Sequence, residues 1–414
     1  MAGYDEFRID ALKQYKELPD ETNELYKRYY MEIAMPSDEE MQAARGLKAA
    51  DKVEALVASI EEKTKVKFDL VVSNSYVRNN SRLIKIIKMS ELGGKLNDKI
   101  FRNSDNKLAA FVNANSRDAV VVTVDKNMSE RLSVLFINDA HLIFQSFFEI
   151  KDGARLDLFE FYASLPGADS LVAPLQEFVV GTKGNLEYTL INDGSERSRM
   201  LNLSKGVLGE HAKANVNFVY NGSALTKTLG FFDTKGFGSS IEVTEAIYGT
   251  GEQRFDINTY VYNSSEKSHT RVETGAVLDG SSNCMLKGYA KVEKLTKGAW
   301  SRVNQRGIVL SEKAHIDSLP DMSIDYSNEV SATHSAATSP IDKEVLFYMN
   351  SRGIDESYAR KMFVSSFISK YLSSIQNPTA REIASSIMLG RVENNAVGVI
   401  NEITPRGVWY TAKN

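Results

Sequence analysis

Apolar positions recur at intervals of three and four up to about Thr64: Leu12 and Tyr15, then Leu25, Tyr26, Tyr29 and Tyr30, then Val53, Leu56, Val57 and Ile60. That spacing puts each group on one face of a helix. Pro19-Asp20 and Pro36-Ser37-Asp38 interrupt it, and Asp38-Glu39-Glu40 suits the positive end of a new helix dipole. From Lys65 to Asn113 the signal is mixed. Phe68-Asp69-Leu70-Val71-Val72 reads as a strand and Leu83-Ile84-Lys85-Ile86-Ile87 as a helix, within a connector or small α/β element.

From Ala119 to about Ile324 the texture changes to short runs rich in Val, Ile, Phe, Tyr and Thr. Leu132–Ile137, Leu156–Tyr162, Leu186–Ile191, Val216–Tyr220 and Asn258–Tyr262 are examples, separated by Gly, Asn, Asp and Ser. Alternation of apolar and polar residues is the period of a half-buried strand, and a turn signal about every 8 to 12 residues indicates an all-β unit. A sandwich, a barrel and a β-helix all fit this pattern. The length of the stretch without a helical interruption favours a solenoid.

After His334 the helical period returns. Asp342 can cap a helix bearing Val345, Leu346 and Met349, ended by Gly353. Asp355 can cap a second, with Ala359, Met362, Phe363 and Phe367 on one face, and Asn377-Pro378 opens a third with Ile383, Ile387 and Met388, closed by Gly390. The expected organisation is a helical region with a mixed connector over 1–113, a β core over 114–334 and a helical domain over 335–414.

Composition narrows the function. The 414 residues carry a net charge of -4, which argues against a phosphate backbone as the main partner. No apolar run approaches the roughly 20 residues that cross a bilayer, and the Met1-Ala2-Gly3-Tyr4-Asp5-Glu6 start has no secretory pattern, so a cytoplasmic protein is expected. Cys284 is the single cysteine, which excludes an internal disulfide and a cluster held by four thiolates of one subunit. The glycines of Gly230–Gly238 and Gly249–Gly251 lack the lysine-bearing phosphate-loop pattern and read as turns, so the chain is not expected to hydrolyse ATP.

Several phrases in the second half stand in a distinctive order. Thr259-Tyr260-Val261, Ser268-His269-Thr270, Val277-Leu278-Asp279-Gly280-Ser281 and Leu286–Val292 precede Ile308–Ala314 and Leu319-Pro320-Asp321-Met322-Ser323-Ile324. Then come Thr333-His334-Ser335-Ala336-Ala337-Thr338-Ser339-Pro340-Ile341-Asp342 and Leu346-Phe347-Tyr348-Met349-Asn350-Ser351-Arg352-Gly353-Ile354. This series resembles the C-terminal half of the SufB/SufD family, and Lys107–Ala114 is similar to the family's phrase before its first β-rungs. The resemblance implies a right-handed parallel β-helix flanked by N-terminal and C-terminal helical segments. It also implies a non-enzymatic subunit of an iron-sulfur cluster assembly complex, working with a SufC-type ABC ATPase and a SufB-type scaffold as a homodimer or heterodimer.

Within the family the SufD label fits better. The position that carries a nucleating cysteine in SufB is at or near Gln305 here, and the acidic residues flanking the family's histidine are Thr333 and Ser335. Asn263 stands where the family has another histidine. The resemblance makes His334 the candidate ligand for iron or a cluster at a subunit interface, against the plain reading of a histidine capping the last rung. It makes Phe347, Tyr348, Arg352, Tyr358 and Phe363 the candidate ATPase-docking residues, against the reading that such stripes are core. No cofactor is expected to bind stably to this chain alone, with transient iron or an iron-sulfur cluster in the complex. Cys284, beside Met285 and Leu286, reads as a small buried hydrophobe. His141, His211, His269 and His315 are scattered, with His315 close enough in sequence to share a neighbouring rung with His334. A stand-alone SufB-like scaffold and, remotely, a β-helical carbohydrate-active enzyme are the competing readings.

Overall fold

The computed structural model describes residues 2–19, 31–46, 48–92, 106–294, 296–325 and 330–394. Leu25, Tyr26, Tyr29 and Tyr30 lie outside the described residues. Helices α1 (Ala2–Glu17), α2 (Asp38–Gly46) and α3 (Ala50–Thr64) come first. The acidic start of α2 is reinforced by a reciprocal cap: the Glu40 N–H donates to Ser37 Oγ and the Ser37 N–H to Glu40 Oε2. Three short strands follow, β1 (Leu70–Val72), β2 (Val77–Asn79) and β3 (Ile84–Lys88), then helices α4 (Met89–Leu92) and α5 (Lys107–Asn115). The segment Leu83–Ile87, expected as a helix, is largely β3. Its apolar run pairs antiparallel with β4 (Asp118–Val124), and that ladder overrides the local preference.

From β4 onward the chain alternates between two sheets. One takes β5 (Ser129–Asn138), β7 (Arg155–Ser164), β9 (Asn185–Asp193), β11 (Lys213–Tyr220), β13 (Ser240–Gly249), β15 (His269–Leu278), β17 (Trp300–Val309) and β19 (Ser331–Pro340). The other takes β4, β6 (Leu142–Ile150), β8 (Leu171–Val180), β10 (Arg199–Leu208), β12 (Leu225–Thr234), β14 (Arg254–Asn263), β16 (Asn283–Val292) and β18 (His315–Ile324). Neighbouring strands within each of these series are parallel, in order along the sheet. The fold is therefore a parallel β-solenoid with helices at both ends, and neither a barrel nor a sandwich.

Strand alternation sends one set of side chains inward. Val134, Leu158, Leu190, Phe218, Val243, Val272 and Val303 from one sheet meet Val122, Phe148, Phe178, Phe232, Ile257 and Leu286 from the other in a single apolar column. Buried carboxyls interrupt it. Glu160 Oε2 accepts from Tyr162 and Tyr188 hydroxyls at 2.8 and 2.7 Å and from Gln176 at 3.2 Å. Glu245 accepts from the hydroxyls of Thr259 and of Thr274, the latter at 2.6 Å. Burial pushes both acids above the ordinary carboxyl range, against those hydrogen bonds.

The outward residues are covered differently on the two sheets. The face of the first sheet packs against α3 and three C-terminal helices, α6 (Lys343–Ser351), α7 (Glu356–Leu372) and α8 (Pro378–Asn394). The face of the second packs against α5 and the strap carrying Met31, Ile33 and Met41. A buried ion cluster pins that strap: Asp256 meets Lys227 at 2.6 Å and Lys287 at 3.0 Å and accepts the Met31 N–H at 3.3 Å. Burial pushes the Asp256 carboxyl up, but the two ammonium groups prevail and hold it below its ordinary value.

The helix starts match their expected caps. Asp342 accepts from the Glu344 N–H at 2.8 Å and Asp355 from the Ser357 N–H at 2.9 Å. Two boundaries differ. The expected boundary between the β core and the helical domain, after 334, falls inside β19, which continues to Pro340 because its backbone is held by β17 from Trp300↔Ser331 to Val309↔Pro340. Gly390 does not close α8, which runs on to Asn394; the left-handed φ that a closing glycine adopts is found at Gly353 (82°) but not at Gly390.

Candidate functional site

The last coil differs from every earlier one. β18 and β19 are the terminal strands of their sheets, each paired on one edge only among the described residues. The inward positions of β18 that would be sealed by a further coil, Ser318, Pro320 and Met322, are half-buried, and Ile324 is 45% exposed. Most of β19 is exposed. His334 lies there, opposite Val303, so it stands at the inward position of the final rung and is open to solvent because no rung follows. Its neighbour Ser335 points the other way and donates to Asn304 Oδ1 at 2.7 Å.

The other candidates do not join it. His315 lies on the outer face of β18, 3.0 Å from Asp317, on a different sheet from His334. Asn263 is buried at the end of β14, where its amide bonds the Ser268 carbonyl at 3.0 Å and its Oδ1 accepts from Thr270 at 2.8 Å. It is a corner brace. Gln305 points into the solenoid, in register between Thr274 and Ala336, and is 1% exposed. Cys284 is fully buried in the same column, and burial first, then Asp256, Glu245 and Asp317, drives its thiol well above its ordinary range. Among the described residues no group of three or more His, Cys, Asp or Glu side chains is placed to hold a metal ion. Gly230, read as part of a turn, is inside β12, where it leaves room for the ring of Phe232.

The C-terminal helices carry the largest apolar exposure. On α6, Phe347 is 76% and Tyr348 58% exposed, while Leu346 is buried in the core and Met349 packs half-buried against it. On α7, Ala359, Val364, Ile368, Tyr371 and Leu372 bury against the first sheet, while Tyr358, Met362 and Phe363 project outward. The face expected from sequence, Ala359 with Met362, Phe363 and Phe367, is therefore split. Ala359 goes into the core, Phe367 is half-buried against Tyr371, and the middle two turn to solvent. Arg352, just after α6, lies 5.3 Å from the Tyr348 ring. All five docking candidates, Phe347, Tyr348, Arg352, Tyr358 and Phe363, thus stand at the surface on two consecutive helices. A monomer rarely leaves such a concentration of large apolar side chains uncovered without an interaction to make.

Most of this arrangement, from the end of β5 through the open last coil and α6 into α7, lies within a stretch that known proteins share. Residues 137–367, more than half of the chain, match the family described as SUF system FeS cluster assembly, SufBD core domain. The chain belongs to the SufBD family. An iron-sulfur cluster assembly SufBD family protein of Staphylococcus epidermidis is 23% identical over 373 residues, covering 88% of this chain and 77% of that protein. The iron-sulfur cluster assembly protein SufD of Bacillus subtilis is 22% identical over 280 residues, 66% of this chain and 63% of that one. A SufBD family protein of Mycobacterium leprae is 25% identical over 213 residues, where the match spans about half of each chain, 50% and 54%. No helix among the described residues is long and apolar enough to cross a membrane.

Proposed function

We propose that this SufBD protein is a SufD-like, non-catalytic subunit of a cytoplasmic iron-sulfur cluster assembly complex. Its exposed α6–α7 surface docks a SufC-type ATPase, and the free edges of β18 and β19 pair with a SufB-type scaffold or a second copy. The observation that carries the reading is the exposed apolar group Phe347, Tyr348, Tyr358, Met362 and Phe363, within the stretch that matches the SufBD core domain. Aromatic side chains of this kind dominate the energy of protein interfaces when a partner desolvates them. The free strand edges offer main-chain donors and acceptors to another sheet.

The SufD-like assignment over a stand-alone scaffold rests on the thiol. A scaffold needs an accessible thiolate, and the only one this chain could offer is sealed inside the column. Iron or a cluster is cargo of the complex, and His334 at the open rung is the residue positioned to touch it. Co-purification of the intact chain with a SufC-type ATPase tests the docking. Phe347→Ser with Tyr348→Ser should weaken capture at least tenfold, about 1.4 kcal/mol. Equal capture of variant and parent, or none by the parent, refutes the reading. His334→Ala in the assembled complex should slow cluster formation, and an unchanged rate removes the ligand role.

A further inference from the structure

Arg391 on α8 is the largest fully buried side chain among the described residues. Arg391 near the end of α8 reaches the corner where β9 finishes at Asp193 and where Asn221 and Thr250 directly follow β11 and β13. Arg391 Nη2 donates to Thr250 Oγ1 at 2.8 Å and to Gln253 Oε1, and the guanidinium lies 5.9 Å from the Tyr248 ring. Its Nε and Nη1 are buried with no hydrogen-bond partner. Among the described residues no carboxylate reaches ion-pair distance of it. A buried cation left this way is a heavy destabilising load, far larger than the packing it gains.

The same corner holds the complementary groups. Asn221 Oδ1 is also buried without a partner, while its amide donates to Asp193 Oδ1 at 3.1 Å. Gln253 touches both sides, donating to the Asn221 carbonyl at 3.3 Å and accepting from Arg391. Burial pulls the guanidinium down to about 10, and Asp193 is the acid that pushes back. Two unmet donor sites, an unmet acceptor and a carboxylate whose charge the guanidinium feels without an ion-pair contact are the surroundings in which a protein holds internal water, which needs two to four polar partners.

We propose that Arg391 and Asp193 form a solvent-separated ion pair, with water held between the guanidinium Nε and Nη1, Asn221 Oδ1 and the Asp193 carboxylate, and that this pair latches the end of α8 to the solenoid. The latch belongs to the fold and holds whether or not the α6–α7 surface docks an ATPase. Because α8 packs against α7 in one apolar cluster, its release would loosen the helices that bear the exposed aromatics.

Hydrogen exchange and thermal unfolding of the full chain test it. Asp193→Asn should raise exchange over 384–392 about tenfold and lower the melting temperature, while a high-resolution crystal structure of the parent shows water beside Nε and Nη1. In an Arg391→Met background, whose side chain fills the space without a charge, Asp193→Asn should change neither reading. Equal losses in both backgrounds, no loss in the parent, or a dry corner would each overturn the proposal. Should Arg391→Met fail to fold, the crystal structure and the Asp193→Asn exchange on the parent chain still decide it.

Discussion

Gly275 is the point of closest approach between the solenoid and α7, and adding one methyl group there is a sharp test of how the helices are seated. It lies on the outer face of β15, and a Cβ built on it would be 2.2, 2.4 and 2.5 Å from three ring carbons of Tyr371. Non-bonded carbons rest at about 3.5–4.0 Å, so the ring has to retreat by roughly 1.3 Å or more. It has nowhere to go: Tyr371 is 3% exposed and backed by Phe367 at 5.2 Å. Overpacking of this kind costs about 1–3 kcal/mol, offset by about 0.5–1 kcal/mol because alanine restrains the unfolded chain more than glycine. Gly275→Ala should therefore lose about 1 kcal/mol or somewhat more. Urea titration monitors the loss, and hydrogen exchange over Glu356–Leu372 locates it. In a Tyr371→Ala background the same substitution should become neutral or stabilising. A cost of equal size in both backgrounds, or no cost in the parent, would refute the seating described above.

Two further outcomes follow from the interior. The native states of Glu160 and Glu245 hold their protons above the ordinary carboxyl value, where the unfolded chain has released them. Stability should accordingly fall as pH rises from about 4.5 toward the raised values, by up to about 1.4 kcal/mol per pH unit for each acid. Glu245→Gln should flatten that fall above about pH 4.5 in thermal melts, and an unchanged slope would show that the acid is not buried neutral. Cys284 should resist an aromatic disulfide reagent at pH 8 in the native chain and react once urea unfolds it, so rapid native labelling would contradict its sealed position.

The sequence revealed those parts of the structure whose determinants are local. Asp342, Asp355 and the Asn377-Pro378 pair start helices because a cap needs only its own next few residues. The solenoid strands show their two-residue period because one face of each is buried. The second half of β19, beyond His334, is not legible for the converse reason: its run of Ser, Ala and Thr carries little apolar period, since no later rung covers it and only the ladder to β17 makes it a strand. Leu83–Ile87 was misread because its partner, β4, is distant in sequence. The candidate site shows the same division. Phe347 and Tyr348 stand out in sequence through the phrase that holds them, and the structure leaves both side chains exposed. Whether Met362 and Phe363 face core or water depends on which side of α7 meets Gly275, a contact nearly a hundred positions away, and no periodicity records it.

A stack in which each coil leans only on its immediate neighbours has unequal strength along its length. Interior coils are gripped from both sides, whereas the coil of β18 and β19 is gripped from one. That coil should be the first to fray on heating, and any sheet seated against its edge would act as the missing neighbour. Its unfolding temperature should then climb with the concentration of whatever binds there, while that of the middle coils stays put.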